Sequence, residues 1–290
     1  MFVRLKTVAC ACGLALACSF ALAAAPPLPN PELPADPAVL VRETIANEMK
    51  PGNGIHKAYK LTSRKPSGTT VKQVIETRDG AIARILSING QPLNAEQKAK
   101  EDKRLLRLIE DPNALAQKQK SQKEDDRRAR MMLKALPDAF LYTYAGTEET
   151  PDGEVVKLDF KPNPNFDPPS RETLVYRGMQ GTMQISLADH RLVRIEARLF
   201  RDVTFGWGIL GHLDKGGQFA VEQARVLDHD WETTHMVLNF TGKALLFKTI
   251  RINQDETSGD FHTVPEMTAQ QAIEQLNREA NQQQQARSQK

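Results

Sequence analysis

Gly206, Gly208 and Gly211 lie in the stretch FGWGILG at the spacing G-x-G-x-x-G, the pattern of a loop that wraps a dinucleotide phosphate. That chemistry needs a strand before the first glycine, a helix opening on the last, and an acid about 20 residues further on. After Gly211 the chain reads HLDKGGQFAVEQ. Gly216-Gly217 breaks a helix as it begins, and the residues beyond alternate as in a strand. Asp228 and Asp230 fall at a tolerable distance, but no parallel β-α-β frame is there to place them. The nucleotide reading fails on context. The glycines read instead as joints around Trp207, Ile209 and Leu210.

The other reactive residue types are no better placed. The densest histidine stretch, HDWETTH, holds His229 and His235 and is not H-E-x-x-H. On a strand the two are about 20 Å apart, and on a helix a spacing of six puts them on different faces. His56, His190, His212 and His262 have no neighbours at ligand spacing. No serine sits in G-x-S-x-G, and no spacing singles out a catalytic pair of acids. The expectation is a protein that is not an enzyme, with no catalytic residue, metal or cofactor. A secreted hydrolase is the remaining enzymatic reading.

The N-terminus explains where such a protein works. Arg4 and Lys6 precede the apolar run TVACACGLALACSFALAAA, and Ala21-Leu22-Ala23 fits an A-x-A cleavage site. Residues 1–23 read as a secretory signal peptide, so the expected location is periplasmic or secreted. All three cysteines, Cys10, Cys12 and Cys18, lie inside it. The exported chain then has no disulfide and no thiolate metal site, and its core must hold it. The alternative is a lipid anchor at Cys18, with Ala17 fitting that role and Ala15 standing where leucine is wanted. The whole chain carries 39 basic and 36 acidic residues. That balance calls for no nucleic acid as a partner.

The chain around these residues divides by composition. Residues 24–35, AAPPLPNPELPA, form a proline-rich linker. Asp36-Pro37 reads as an N-cap and first helical residue, with Val41, Ile45 and Met49 on one face and Pro51-Gly52 as the stop. Strands follow in HKAYKLTSRK and in TTVKQVIETRDGAIARILSING, where Asp79-Gly80 and Asn89-Gly90 mark turns. A helical insertion spans 93–136, with 12 basic and 8 acidic residues between Glu96 and Lys134. Leu105, Leu108 and Ile109 make its apolar stripe, and Asp111-Pro112-Asn113 interrupts it. The expected form is a solvated helical hairpin over the sheet edge, and the sharper alternative is a surface for lipid head groups, giving peripheral membrane contact. From Phe140 to about Asn253 strands recur with turn signals every 8–12 residues, RETLVYR among them, which predicts an antiparallel meander. A single β-rich domain over 36–264 is expected. Residues 265–290 read as a short amphipathic helix through Leu276 and a disordered, glutamine-rich tail.

The signal peptide, the N-terminal helix and the meander, with YAGTEETPDGEVVKLDFKPNP and GTMQISLADHRLVRIEARL as its most similar stretches, together resemble the outer-membrane lipoprotein-sorting superfamily. That group includes periplasmic lipoprotein carriers and an envelope-stress regulator. The helical insertion and FGWGILGHLDKGG depart from it. The resemblance implies a mainly β fold with helices (α+β). Its form would be a curved antiparallel sheet or half-open β-barrel covered by the N-terminal helix and the charged hairpin, with an apolar concave face for acyl chains. Strands with apolar residues on both faces agree with one face lining a cavity. The expected function is an exported, non-catalytic binding protein that carries or senses a lipid or a lipidated protein, with an acyl chain as partner. Phe205, Trp207, Ile209, Leu210 and Phe219 are the expected ligand-lining residues. The alternative is an envelope protein-interaction or sensor module without a small ligand.

Overall fold

Helix α1 (Pro37–Glu48) begins where the sequence sets it. The Asp36 carboxylate accepts the Ala38 N–H at 2.9 Å, and the fixed φ of Pro37 suits the first helical position. Leu40, Val41 and Ile45 are buried along one face. The structure, a computed structural model, describes residues 33–50, 52, 54–205, 211–227, 230–244 and 248–288. The signal peptide, Cys18 and most of the proline-rich linker lie outside these residues.

Strands β1 (His56–Lys65), β2 (Gly68–Ile75) and β3 (Ile82–Ile88) form consecutive hairpins, and β4 (Gln91–Pro92) closes that run. Helix α2 (Ala95–Glu110) starts with a capping box. Asn94 accepts the Gln97 N–H at 2.9 Å, and the Gln97 side chain accepts the Asn94 N–H at 3.0 Å. Asp111 ends α2 and caps α3 (Pro112–Ala139), so the hairpin turns on one residue. The middle of α3, residues 123–130, is wholly exposed, as its unbroken polar sequence requires.

The second half supplies β5 (Phe140–Thr150), β6 (Gly153–Pro162), β7 (Met179–Ser186), β8 (Leu192–Leu199), β9 (Val203–Phe205), β10 (Gly211–Leu213), β11 (Gln218–Leu227), β12 (Asp230–Ala244) and β13 (Lys248–Val264). RETLVYR, expected as a strand, contains instead a short 3₁₀ helix over Glu172–Gly178. Ser170 is the reason. Its Oγ accepts the Thr173 N–H at 3.3 Å while Thr173 Oγ1 donates to the Ser170 carbonyl at 2.9 Å, a local pattern that competes with strand pairing. Helix α4 (Ala269–Ser288) buries Ala272, Ile273 and Leu276 and runs on to Ser288 rather than stopping after Leu276.

Thirteen strands among the described residues make one sheet, in the order β4-β3-β2-β1-β13-β12-β11-β8-β7-β6-β5, with β10 and β9 branching from β12. Every pairing is antiparallel, as the meander reading expects. The sheet is open, with β4 and β5 as its two ends.

The register shows how both faces come to carry apolar residues. Leu158, Met183, Ile195 and Val221 lie opposite one another across β6, β7, β8 and β11 and share one face. A first core forms there, with Leu40 and Val41 of α1 and Leu136 and Ala139 of α3. The other face carries Asp159, Thr182, Glu196, Ala220, Val237, Asp255 and Arg64 in one cross-strand row. Arg64 shares its side of β1 with Ala58, and Ala58 lies opposite Ile75, which lies opposite Ile82. These three belong to a second core with Leu105 of α2 and Ile273 and Leu276 of α4. Helices therefore cover opposite faces at opposite ends of the sheet. Arg84, on the second-core face, ties that layer together. It donates to Asp102 of α2 and to Asn277 of α4, each at 2.5 Å.

Candidate functional site

Among the described residues, the face that carries the second core at one end has no helix over it at the other. Over β5, β6, β7, β8, β11 and β12 it forms a trough of about 830 Å³, within the size range of ligand sites. Its chemistry follows from three cross-strand rows. The first runs Gln180, Arg198, Gln218, with Lys161 beside Leu141 at the β5 end and Asn239 and Asn253 beyond. This row has two bases and four amides and no carboxylate. The second holds Thr143, Asp159, Thr182 and Glu196 and turns apolar at Ala220 and Val237. The third holds Gln184, Arg194, Glu222 and His235.

Within these rows the charges differ in freedom. Arg194 pairs with Glu196 on its own strand and reaches Glu222 at 3.0 Å. His235 sits between carboxylates, 3.8 Å from Glu222 and 3.0 Å from Asp255. Hydrogen bonding to Glu196 holds the Arg194 guanidinium above its ordinary range. Lys161 and Arg198 have no ion pair among the described residues. The trough thus has a basic, amide-rich border along the Lys161, Gln180, Arg198 and Gln218 row, beside a middle row that carries Asp159 and Glu196 and a third row in which Arg194 and Glu222 pair. Such a lining suits a polar partner bearing hydrogen-bonding groups and negative charge. It does not suit a bare acyl chain, whose burial would strand these polar groups.

The expected ligand-lining residues divide accordingly. Phe205 and Phe219 are half-buried and pack against the margin of the first core. Phe219 touches the trough floor. It lies opposite Ala197 and Leu238, on the helix-bearing side, so its ring is directed away from the trough. Trp207, Ile209 and Leu210 lie outside the described residues. The trough also has a signal in the sequence. Arg194, Glu196 and Arg198 alternate along RLVRIEARLF at the period of one strand face.

The third glycine of the opening motif has a structural role. Gly211 opens β10, a strand and not a helix, with φ +134. A Cβ there would lie 2.1 Å from the Lys243 carbonyl oxygen on β12. Gly242 mirrors this, since its Cβ would lie 2.2 Å from the His212 carbonyl oxygen. Two glycines let β10 lie close against β12.

A second polar constellation is structural. Lys57 of β1, with its side chain 8% exposed, reaches Asp230 at 2.6 Å and Glu232 at 2.5 Å on β12. Burial opposes its charge, but the hydrogen bonds to both carboxylates outweigh burial and hold the ammonium above the lysine range. Burial pushes nearby Glu76 above the usual carboxylate range, and Lys57 draws it back in part. Tyr59, stacked on Phe261 at 5.1 Å, is pushed up to about 12, chiefly by burial. Among the described residues no group of three or more histidine, cysteine or acidic side chains is placed to hold a metal ion. None of the described helices is long and apolar enough to cross a membrane.

No family model matches the chain, and no curated protein matches it. Among solved structures it is similar to a domain described as outer membrane lipoprotein-sorting from Vibrio parahaemolyticus, at 10% identity and a TM-score of 0.28, over 80% of this chain and 93% of that one. It is similar to a DUF1329 family protein from Desulfovibrio piger, at 9% identity and a TM-score of 0.31, over 80% of this chain and 95% of that one. It is also similar to a LolA superfamily protein from Nitrosomonas europaea, at 8% identity and a TM-score of 0.28, over 80% of this chain and 96% of that one. Two of the three bear the lipoprotein-sorting or LolA name.

Proposed function

We propose that the chain is exported to the periplasm and acts there without catalysis, as a binding module that recognises a polar, charged face of an envelope protein. The carrying observation is the trough lining, in particular the row of Lys161, Gln180, Arg198 and Gln218 with no carboxylate in it. The sequence supports export through residues 1–23. A photo-crosslinking residue at Thr182, in the trough, is expected to trap a defined protein when the chain is exported in cells. Arg198→Glu with Lys161→Glu is expected to lower that yield at least about tenfold while the melting temperature holds, since both side chains are exposed. Crosslinks only to lipid, or a yield unmoved by the charge reversals, would sink the reading.

A second reading rests on a different observation. Phe205, Leu213, Phe219, Val221 and Leu238 stay half-buried at the margin of the first core. An acyl chain of a lipid or lipidated protein laid along them would gain about 0.8 kcal/mol per buried CH₂. Native mass spectrometry after mild extraction separates the two. A co-purifying lipid lost on Phe219→Asp moves the assignment to this margin, and a lipid-free chain leaves it with the trough.

A further inference from the structure

The two ends of the open sheet are finished differently. At one end β4 is two residues long and closes on Pro92, a short edge of the kind that discourages further pairing. At the other, β5 is eleven residues long, and no described strand pairs on its far side. Its first six residues, FLYTYA, carry no charge and favour strands. Leu141 is 45% exposed there. The irregularity that blunts many edges comes later. The register shifts between Tyr144 and Thr147, at Gly146 with φ +106, and leaves Phe140–Tyr144 straight.

The direction of the free backbone groups follows from one bond. The Ala139 carbonyl accepts the Asn163 N–H at 2.9 Å, toward β6. In an antiparallel ladder alternate residues face alternate sides. Leu141 and Thr143 therefore bond to β6, while Phe140, Tyr142 and Tyr144 turn their N–H and C=O groups to the open side. Past them lie Glu148, which is held by Lys157, and Glu149, which is exposed and has no ion pair among the described residues.

We propose that β5 receives an extended segment of a partner protein, added as an antiparallel strand along Phe140–Tyr144, with a basic residue at the segment's N-terminal end facing Glu149. The mode is strand addition, in which main-chain bonds give affinity and flanking side chains give selectivity. The proposal does not depend on what fills the trough.

The test uses the exported chain and a blocked ten-residue peptide, Lys-Thr-Thr-Val-Thr-Val-Thr-Val-Thr-Val, long enough to run from Glu149 to Phe140, with amide exchange followed by NMR. Without peptide, the Leu141 and Thr143 amides are expected to be protected and those of Phe140, Tyr142 and Tyr144 to exchange freely. Saturating peptide is expected to slow these three at least about tenfold. N-methylation at alternate peptide residues abolishes the effect. Glutamate in place of the peptide lysine weakens it, and Glu149→Lys in the protein reverses that preference. Arg198→Glu leaves it intact, which keeps it separate from the trough. Protection of the three amides that rises with protein concentration alone would assign the edge to a second copy. Protection lost on deleting residues 24–32 would assign it to the linker. Free exchange at saturating peptide would leave no receptor at all. Each of these outcomes overturns the proposal.

Discussion

Replacing Lys57 with methionine is expected to cost about 3–5 kcal/mol, because Asp230 and Glu232 both lose the buried ammonium they share. In a domain of this size that is on the order of 10 °C in melting temperature. Lys57 is 8% exposed, and its partners Asp230 and Glu232 are 15% and 27% exposed, so solvent does little to replace it. Adding Asp230→Asn and Glu232→Gln is expected to recover most of the loss, since the stranded charges go with their counter-ion. The pH dependence has a definite sign. The ammonium titrates above its unfolded value, so its contribution is whole below the ordinary lysine range and is lost as pH rises through the raised value. Glu76 behaves oppositely to a salt-bridged acid. Its folded-state value is raised by burial, so stability falls as pH rises from the unfolded carboxylate value through the raised one. Glu76→Gln is then expected to raise the melting temperature at pH 7 and to change little at pH 4. Thermal melts followed by circular dichroism across pH read all of these. An unchanged melt for Lys57→Met would mean that water, not the lysine, holds the two acids.

Gly211→Ala is expected to destabilise by about 2–4 kcal/mol, from backbone strain and overlap acting together. The residue needs φ +134, and an added methyl would fall 2.1 Å from backbone on β12, which has no flexible side chain to yield. Gly216→Ala is the control. Gly216 also has a positive φ, +92, but nothing lies within 4 Å of its Cβ position, so strain alone remains, about 1 kcal/mol. Denaturant melts of the pair separate the two causes. Equal losses would remove the close approach of β10 to β12 as the reason for the glycine.

Those two sites show where sequence reading reached and where it stopped. The Asp36-Pro37 helix start, the Asp79-Gly80 turn and the interruption at Asp111-Pro112 are local chemistry, and they stand in the structure where the sequence puts them. RETLVYR departs from the strand its apolar residues favour because a serine-threonine turn at Ser170 overrides that preference. The expected apolar cavity rested on strands with apolar residues on both faces. Their cause is non-local: helix layers cover opposite faces at opposite ends, and alternation along one strand cannot report which neighbour covers it. The polar face was legible in Arg194, Glu196 and Arg198 as a pattern. Its continuation across six strands depends on register, which pairs Arg198 with both Gln180 and Gln218 from distant parts of the chain.

The two cores share no buried residue, and between them stand β12, β13 and β1, among whose side chains only a few are buried. Cooperativity in a folded chain is carried mainly by burial held in common, and here the halves are joined chiefly by ladder hydrogen bonds and by α3. Amide exchange is expected to show the two ends opening locally at different free energies below the global transition. A ligand on the half built over β5 to β8 stabilises that half by mass action and leaves the other's opening unchanged.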